Sequence, residues 1–283
     1  MINWLLFITL CIIWGSSFII MKEGMLALQA SQVAAIRILS GGIVLLPVAV
    51  TRRRQIPSNK FGVILLSGLL GSFIPAFLFC IAETKIDSSL AGFLNALTPI
   101  FTILIGVFFF KSQLQKKKIP GVLLGFAGML LLFLAGGTTE LKHGWYALLV
   151  IIATISYASN VNMVGRYLKE ITSTNIASFA FAMLIIPSLI VLYVTGFFDF
   201  PVNNPHVLYS TAMSAVLGIM GTAVASILFY VLLRRAGPLF SSMVTYGIPF
   251  IALFWGLLAG ETVLPLQLVG LGIILIGVYL TSK

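Results

Sequence analysis

Residues 61–110, FGVILLSGLLGSFIPAFLFCIAETKIDSSLAGFLNALTPIFTILIGVFFF, and residues 211–260, TAMSAVLGIMGTAVASILFYVLLRRAGPLFSSMVTYGIPFIALFWGLLAG, align without a gap at a constant offset of 150. Gly68, Gly71, Leu78, Phe79, Pro99 and Gly106 of the first stretch meet Gly218, Gly221, Leu228, Phe229, Pro249 and Gly256 of the second. Ser72 meets Thr222, and Lys85 meets Arg235. Working outward, Gly121 and Gly128 meet Gly270 and Gly277 at an offset of 149, and Trp14, Ser16 and Ala34 meet Tyr157, Ser159 and Ala177 at 143. Glycine spacing, proline and register agree together, which chance likeness between apolar, glycine-rich segments does not produce. The chain is therefore predicted to be two copies of one unit, residues 1–140 and 141–283.

Composition says where such a chain lives. Of 283 residues, 60% are hydrophobic and 8% charged, whereas a soluble domain is roughly half apolar and about a quarter charged. With 17 basic and 7 acidic side chains, a 30.6 kDa globule could not be wetted, so an ordinary soluble enzyme is excluded. A bilayer crossing takes about 20 apolar residues. Such runs fall at 2–21, 31–50, 61–81, 88–110, 119–135, 145–166, 174–196, 207–232, 238–259 and 264–281. Charge and turn residues separate them, as in TRRRQIPSNK (51–60) and DFPVNNPH (199–206).

The basic residues then segregate. Arg52, Arg53, Arg54, Lys60, Lys111, Lys116, Lys117, Lys118, Arg166, Lys169, Arg234, Arg235 and Lys283 fall on the side shared by both termini, against Lys22, Lys85 and Lys142 on the other. Lys and Arg crowd cytoplasmic loops, so both termini are predicted to be cytoplasmic, and a nine- or eleven-helix count would scatter the basic loops. The same rule explains the +10 balance without nucleic acid. The first run has no basic start and no small-residue cleavage pattern, and reads as a retained span. Cys11 and Cys80 lie inside apolar runs and act as small hydrophobes, which leaves the redox compartment open.

Five helices per copy is an odd number, so the second copy enters the membrane from the opposite side. The expected fold is an all-α membrane protein of ten transmembrane helices, arranged as two inverted five-helix repeats. In carriers of that plan the substrate sits near the midplane, between the repeats and beside interrupted helices. Pro99 and Pro249 lie near the middle of the fourth and ninth spans and free the carbonyls of Asn95 and Thr245. Such kinks also serve as packing devices, but their pairing favours a cavity or hinge. Trp14 and Ser17 share a helix face three residues apart, as do their counterparts Tyr157 and Asn160. The eighth span continues a polar stripe from Ser226 to Tyr230. Trp14, Ser17, Asn95, Thr98, Tyr157, Asn160, Tyr230, Thr245 and Tyr246 are accordingly the candidate substrate-binding residues. Ser72 and Thr222, next to glycines, read as close-packing positions.

Glu23, Glu83, Asp87, Glu140, Glu170, Asp199 and Glu261 all lie at or near helix ends. A proton-driven pump keeps an ionisable group deep in the membrane; no such carboxylate is visible, and His143 and His206 fall in outer loops, so a facilitator or exchanger fits at least as well. Arg37 is the one deep charge. It either snorkels to the interface or acts as a gate or a contact for a substrate carboxylate, with Glu261 or Glu23 as its outer partner. No constellation of an intramembrane enzyme is present, whether HExxH, paired aspartates or a phosphate loop. No catalytic residue, metal ligand or cofactor is expected. The partners expected are a small-molecule substrate and the lipid bilayer, with homodimerisation left open.

These residues resemble the drug/metabolite transporter superfamily, in particular its EamA-type members. Trp14-Gly15-Ser16-Ser17-Phe18 followed by Lys22 resembles that family's first-helix motif, and Arg37 its second-helix arginine. Leu97-Thr98-Pro99-Ile100-Phe101 resembles the fourth-helix stretch, with Ile248-Pro249-Phe250 as its second copy. Gly260-Glu261 is similar to the Gly-Glu pair that follows; the first copy departs from it, with Phe110-Lys111 in its place. The resemblance implies export of small metabolites, often amino acids or related compounds, across a bacterial inner membrane. It leaves drugs or other solutes, and a channel or scaffold without turnover, as alternatives.

Overall fold

The computed structural model describes residues 1–86, 88–113, 116–135, 144–201, 203–258 and 264–282, and their regular structure is helical, with no strand. Ten rods follow one another: α1 (Ile2–Gly24), α2 (Ala30–Thr51), α3 (61–82), α4 (88–108), α5 (Ile119–Ala135), α6 (Gly144–Tyr167), α7 (Ser173–Val194), α8 (205–236), α9 (238–258) and α10 (Pro265–Ser282). Among the described residues nine helical stretches are long and apolar enough to cross a bilayer. The longest, Pro205–Ser242, joins α8 to the first turn of α9, and the rest of α9 is a shorter apolar helix, Val244–Leu258. The join turns at Gly237, whose φ of 82° suits glycine, and Pro238 then starts the next rod.

Each helix turns one apolar face outward. On α1, Leu5, Ile8, Ile12 and Ile19 are exposed, while Phe7, Leu10, Cys11 and Met21 are buried. Because lipid is as apolar as leucine, burial does not drive the helices together, and close backbone approach at small residues does. The repeat glycines supply that approach, across the repeats. A methyl group at Gly68 of α3 would press on Ala180 of α7, and one at Gly218 of α8 would overlap the Arg37 carbonyl and Ser40 of α2. One at Gly71 would overlap the Asn160 amide of α6, and one at Gly221 would lie 2.8 Å from the Ser17 hydroxyl of α1. Ala180 and Arg37, like Asn160 and Ser17, are partners at the offset of 143. The third helix of each repeat therefore wedges between the first two helices of the other, as two inverted copies around a common twofold must. The α5 and α10 pair closes one edge, Gly121 and Gly128 against Gly277 and Gly270.

Two helix irregularities repeat as well. Leu69–Phe73 of α3 and Leu217–Val224 of α8 are π-helical, one residue per turn wider than an α-helix and a feature frequent at functional sites. The fourth and ninth helices are interrupted, though not at equivalent places. α4 stops at Asn95 and restarts at Thr98, and the Thr98 hydroxyl donates to the Asn95 carbonyl at 2.6 Å. This is the carbonyl expected to be freed by Pro99. α9 breaks at Met243 and runs on through Pro249; here the Thr245 hydroxyl donates to the Ser242 carbonyl at 3.0 Å. The same Thr device is used in both, shifted by about one turn.

Candidate functional site

The two wedges leave a cavity of about 110 Å3 at the centre of the bundle. Its walls are built in repeat-related pairs. Trp14 of α1 packs on Phe229 of α8 with ring centroids 5.4 Å apart, and Tyr157 of α6 packs on Phe79 of α3 at 6.2 Å. The π-helical turns add Ser72 and Thr222, and the broken helices add Asn95 and Thr98 from one side and Ser241, Ser242 and Thr245 from the other. The widened turn also exposes a backbone acceptor: the Trp14 indole N–H donates to the Gly221 carbonyl at 3.0 Å. The buried Ser241 hydroxyl has no hydrogen-bond partner among the described residues.

Of the candidates from sequence, Trp14, Ser17, Asn95, Thr98, Tyr157, Asn160, Tyr230, Thr245 and Arg37 all line this cavity. Tyr246 does not. It is fully buried on the opposite face of α9, seated on Gly125 of α5, with its hydroxyl donating to the Val122 carbonyl at 3.0 Å. Glu261 lies outside the described residues. Glu23 does not meet Arg37; its carboxylate accepts from the Tyr209 hydroxyl at 3.0 Å. Pro99 and Pro249 stand behind the wall rather than in it. Ser72 and Thr222, expected to serve packing alone, face the cavity. Phe79 and Phe229 were missed as site residues, although their identity across the repeats was the signal that could have found them.

The two ends of the cavity differ. At the edge on the side of the two termini, the Ser67 hydroxyl donates to the Asn160 amide oxygen at 2.8 Å and lies 3.0 Å from the Tyr230 hydroxyl, a buried neutral network joining α3, α6 and α8. Beyond it a second cavity of about 810 Å3 opens among the ends of α4, α6, α8 and α9, and is lined by Lys111, Arg166, Lys169 and Arg234 with no acid. At the opposite edge stands Arg37, whose Nε donates to the Thr222 hydroxyl at 2.6 Å. Among the described residues it makes no ion pair.

A model of the EamA-like transporter family matches residues 1–134 and again 144–283, which is nearly the whole chain. The chain belongs to that family. Within it, the chain is 29% identical over 277 residues to an S-adenosylmethionine/S-adenosylhomocysteine transporter of Chlamydia trachomatis serovar L2, covering 94% of this chain and 84% of the relative. It is 25% identical over 283 residues to the inner membrane transporter YedA of Escherichia coli K12, covering 96% and 88%. A protein of the same strain named "Probable amino-acid metabolite efflux pump" is 26% identical over 279 residues, covering 95% and 91%. A solved crystal structure shares the fold at a TM-score of 0.74 and 18% identity, over 98% of this chain and 94% of that one. The three named relatives are described as two transporters and an efflux pump.

Proposed function

We propose that this chain is a carrier in the bacterial inner membrane, with both termini cytoplasmic, that moves a small metabolite such as an amino acid or related compound out of the cell by alternating access. One observation carries the reading: a single cavity walled by repeat-related pairs, Trp14 with Phe229 and Tyr157 with Phe79. A site made equally from two inverted copies is addressed from either face of the membrane by the same rocking motion. The central cavity of about 110 Å3 is smaller than the roughly 300 Å3 at which ligand pockets begin. A metabolite therefore enters only as the interrupted helices α4 and α9 give way.

Within the site, the two aromatic pairs clasp the apolar body of the solute, and the free hydroxyl of Ser241 and the amide of Asn95 orient its polar groups. Arg37 takes a carboxylate, since its terminal nitrogens make no hydrogen bond to any described residue and a planar fork matches that ligand. The names of the amino-acid and S-adenosylmethionine relatives fit a solute carrying a carboxylate.

The test is uptake into proteoliposomes from a panel of amino acids, S-adenosylmethionine and cationic dyes. Saturable flux with counterflow for at least one carboxylate-bearing solute is the expected result. Flux without saturation or counterflow identifies a channel, and no flux for any solute contradicts transport of these classes.

A further inference from the structure

We propose that Glu83 is a proton-binding site whose protonation closes the extracytoplasmic end of the carrier. In sequence Glu83 is one more acid at a helix end. In three dimensions it is 8% exposed, one turn beyond Phe79, which lines the central cavity. One carboxylate oxygen accepts from the Ser88 hydroxyl at 2.9 Å; the other, Oε1, is buried without a hydrogen-bond partner among the described residues.

The surroundings define what this group does. The charges that act on it are Lys22 at the outer end of α1 and Arg37 of α2, and neither comes within ion-pair distance. On its own helix the neighbouring titratable group is Cys80. From α6, packed against α3, come Tyr146 and Tyr157 and no acid. Two cations at a distance do not replace the water lost from a carboxylate oxygen that accepts no hydrogen bond. Burial pushes the Glu83 carboxyl up to about 7, opposed by the Ser88 bond and then by Lys22 and Arg37. In a conformation where the outer end opens, water reaches the group and it returns towards the ordinary carboxylate range.

The closed form binds the proton more tightly than the open form, so lowering the pH through about 7 favours closure, and raising it favours opening. The chemistry is one proton added to a carboxylate from water on the outer side and returned to water, with no other bond made or broken. Because Arg37 belongs to both the cavity and this cluster, a solute carboxylate drawn to Arg37 removes part of the attraction on Glu83 and biases the same equilibrium. The purpose of the switch rests on the carrier reading of the central cavity; the proton site does not.

Two substrate-free measurements on the full chain in lipid nanodiscs test it. Infrared difference spectra of the wild type should show one protonated carboxyl C=O band that is lost with a midpoint near 7 and is missing from Glu83→Gln. In the second, nitroxides at Leu26→Cys and Thr84→Cys, both exposed at the outer surface, should move apart as the pH rises through that midpoint. Glu83→Gln should hold them close at every pH. A carboxyl band with a midpoint in the ordinary range overturns the proton site even if the Gln variant does not fold. A spin pair indifferent to pH overturns the coupling to closure. Neither readout uses flux, so failure of the transport assay is a separate result.

Discussion

The two ends of the central cavity are related by the repeat, yet they are held by different chemistry. At the edge on the side of the termini Ser67, Asn160 and Tyr230 close a neutral hydrogen-bonded triangle. The places of Ser67 and Tyr230 in the other copy are taken by Leu217 and Cys80, and the Cys80 thiol donates to the Met21 sulfur at 3.3 Å. The polar work at the outer edge falls to Arg37, Lys22 and Glu83 instead. Duplication accounts for the shared walls of the site, and its rims have diverged: neutral networks respond little to pH or to membrane voltage, whereas a charged rim responds to both.

Substitutions at the two rims sharpen this contrast. The largest effect is expected at Arg37. Arg37→Ala removes the terminal nitrogens that take the solute carboxylate, and hydrogen bonds to charged groups are each worth about 1.5–3 kcal/mol. If the outer rim sets affinity, the half-saturating concentration of a transported carboxylate rises by about ten- to a hundredfold, while Arg37→Lys recovers only part because it lacks the fork. Equal kinetics for wild type and both variants would detach Arg37 from the solute.

Next come the wedges that place both rims. Gly71→Ala and Gly221→Ala should each lower stability by about 1–3 kcal/mol, the usual cost of overpacking, read as a fall in thermal unfolding midpoint. Gly71→Ala should cost more, because its methyl group overlaps the Asn160 amide and breaks into the Ser67 network. Gly62→Ala, where a methyl group meets nothing within 4 Å, is the control and should leave the midpoint unchanged or slightly higher. The smallest effect belongs to the neutral rim. Tyr230→Phe removes one hydrogen-bonding partner and should cost about 1 kcal/mol of stability, without altering the pH dependence of the outer spin pair. A changed pH midpoint in Tyr230→Phe would mean that the two rims are not chemically separate.

Much of this was legible before any coordinates. The ten spans could be read because a membrane demands long apolar runs, and the duplication because Gly68, Gly71, Gly218 and Gly221 repeat in register. The cavity was legible where both copies keep an aromatic or polar residue, as at Trp14 and Tyr157. The π-helical turns were not, because a change of hydrogen-bond register from four to five residues leaves no mark in composition. Tyr246 misled because Thr245 beside it does face the cavity, and nothing in the chain tells which face of α9 meets Gly125 of α5. Glu83 was hidden for a similar reason. Its place at the end of a span suggests water, and only the three-dimensional fold, which buries it beside Ser88, removes that water.

The central claim is that one cavity is reached in turn from the two faces of the membrane. With Cys11 and Cys80 replaced by alanine, a single Ser17→Cys places a thiol on the cavity wall. A membrane-impermeant maleimide is then applied to one face at a time, in vesicles of each orientation. Labelling from both faces, with the outer rate falling as the pH drops, is the predicted result. Labelling from one face only, or from neither, would contradict alternating access through this site.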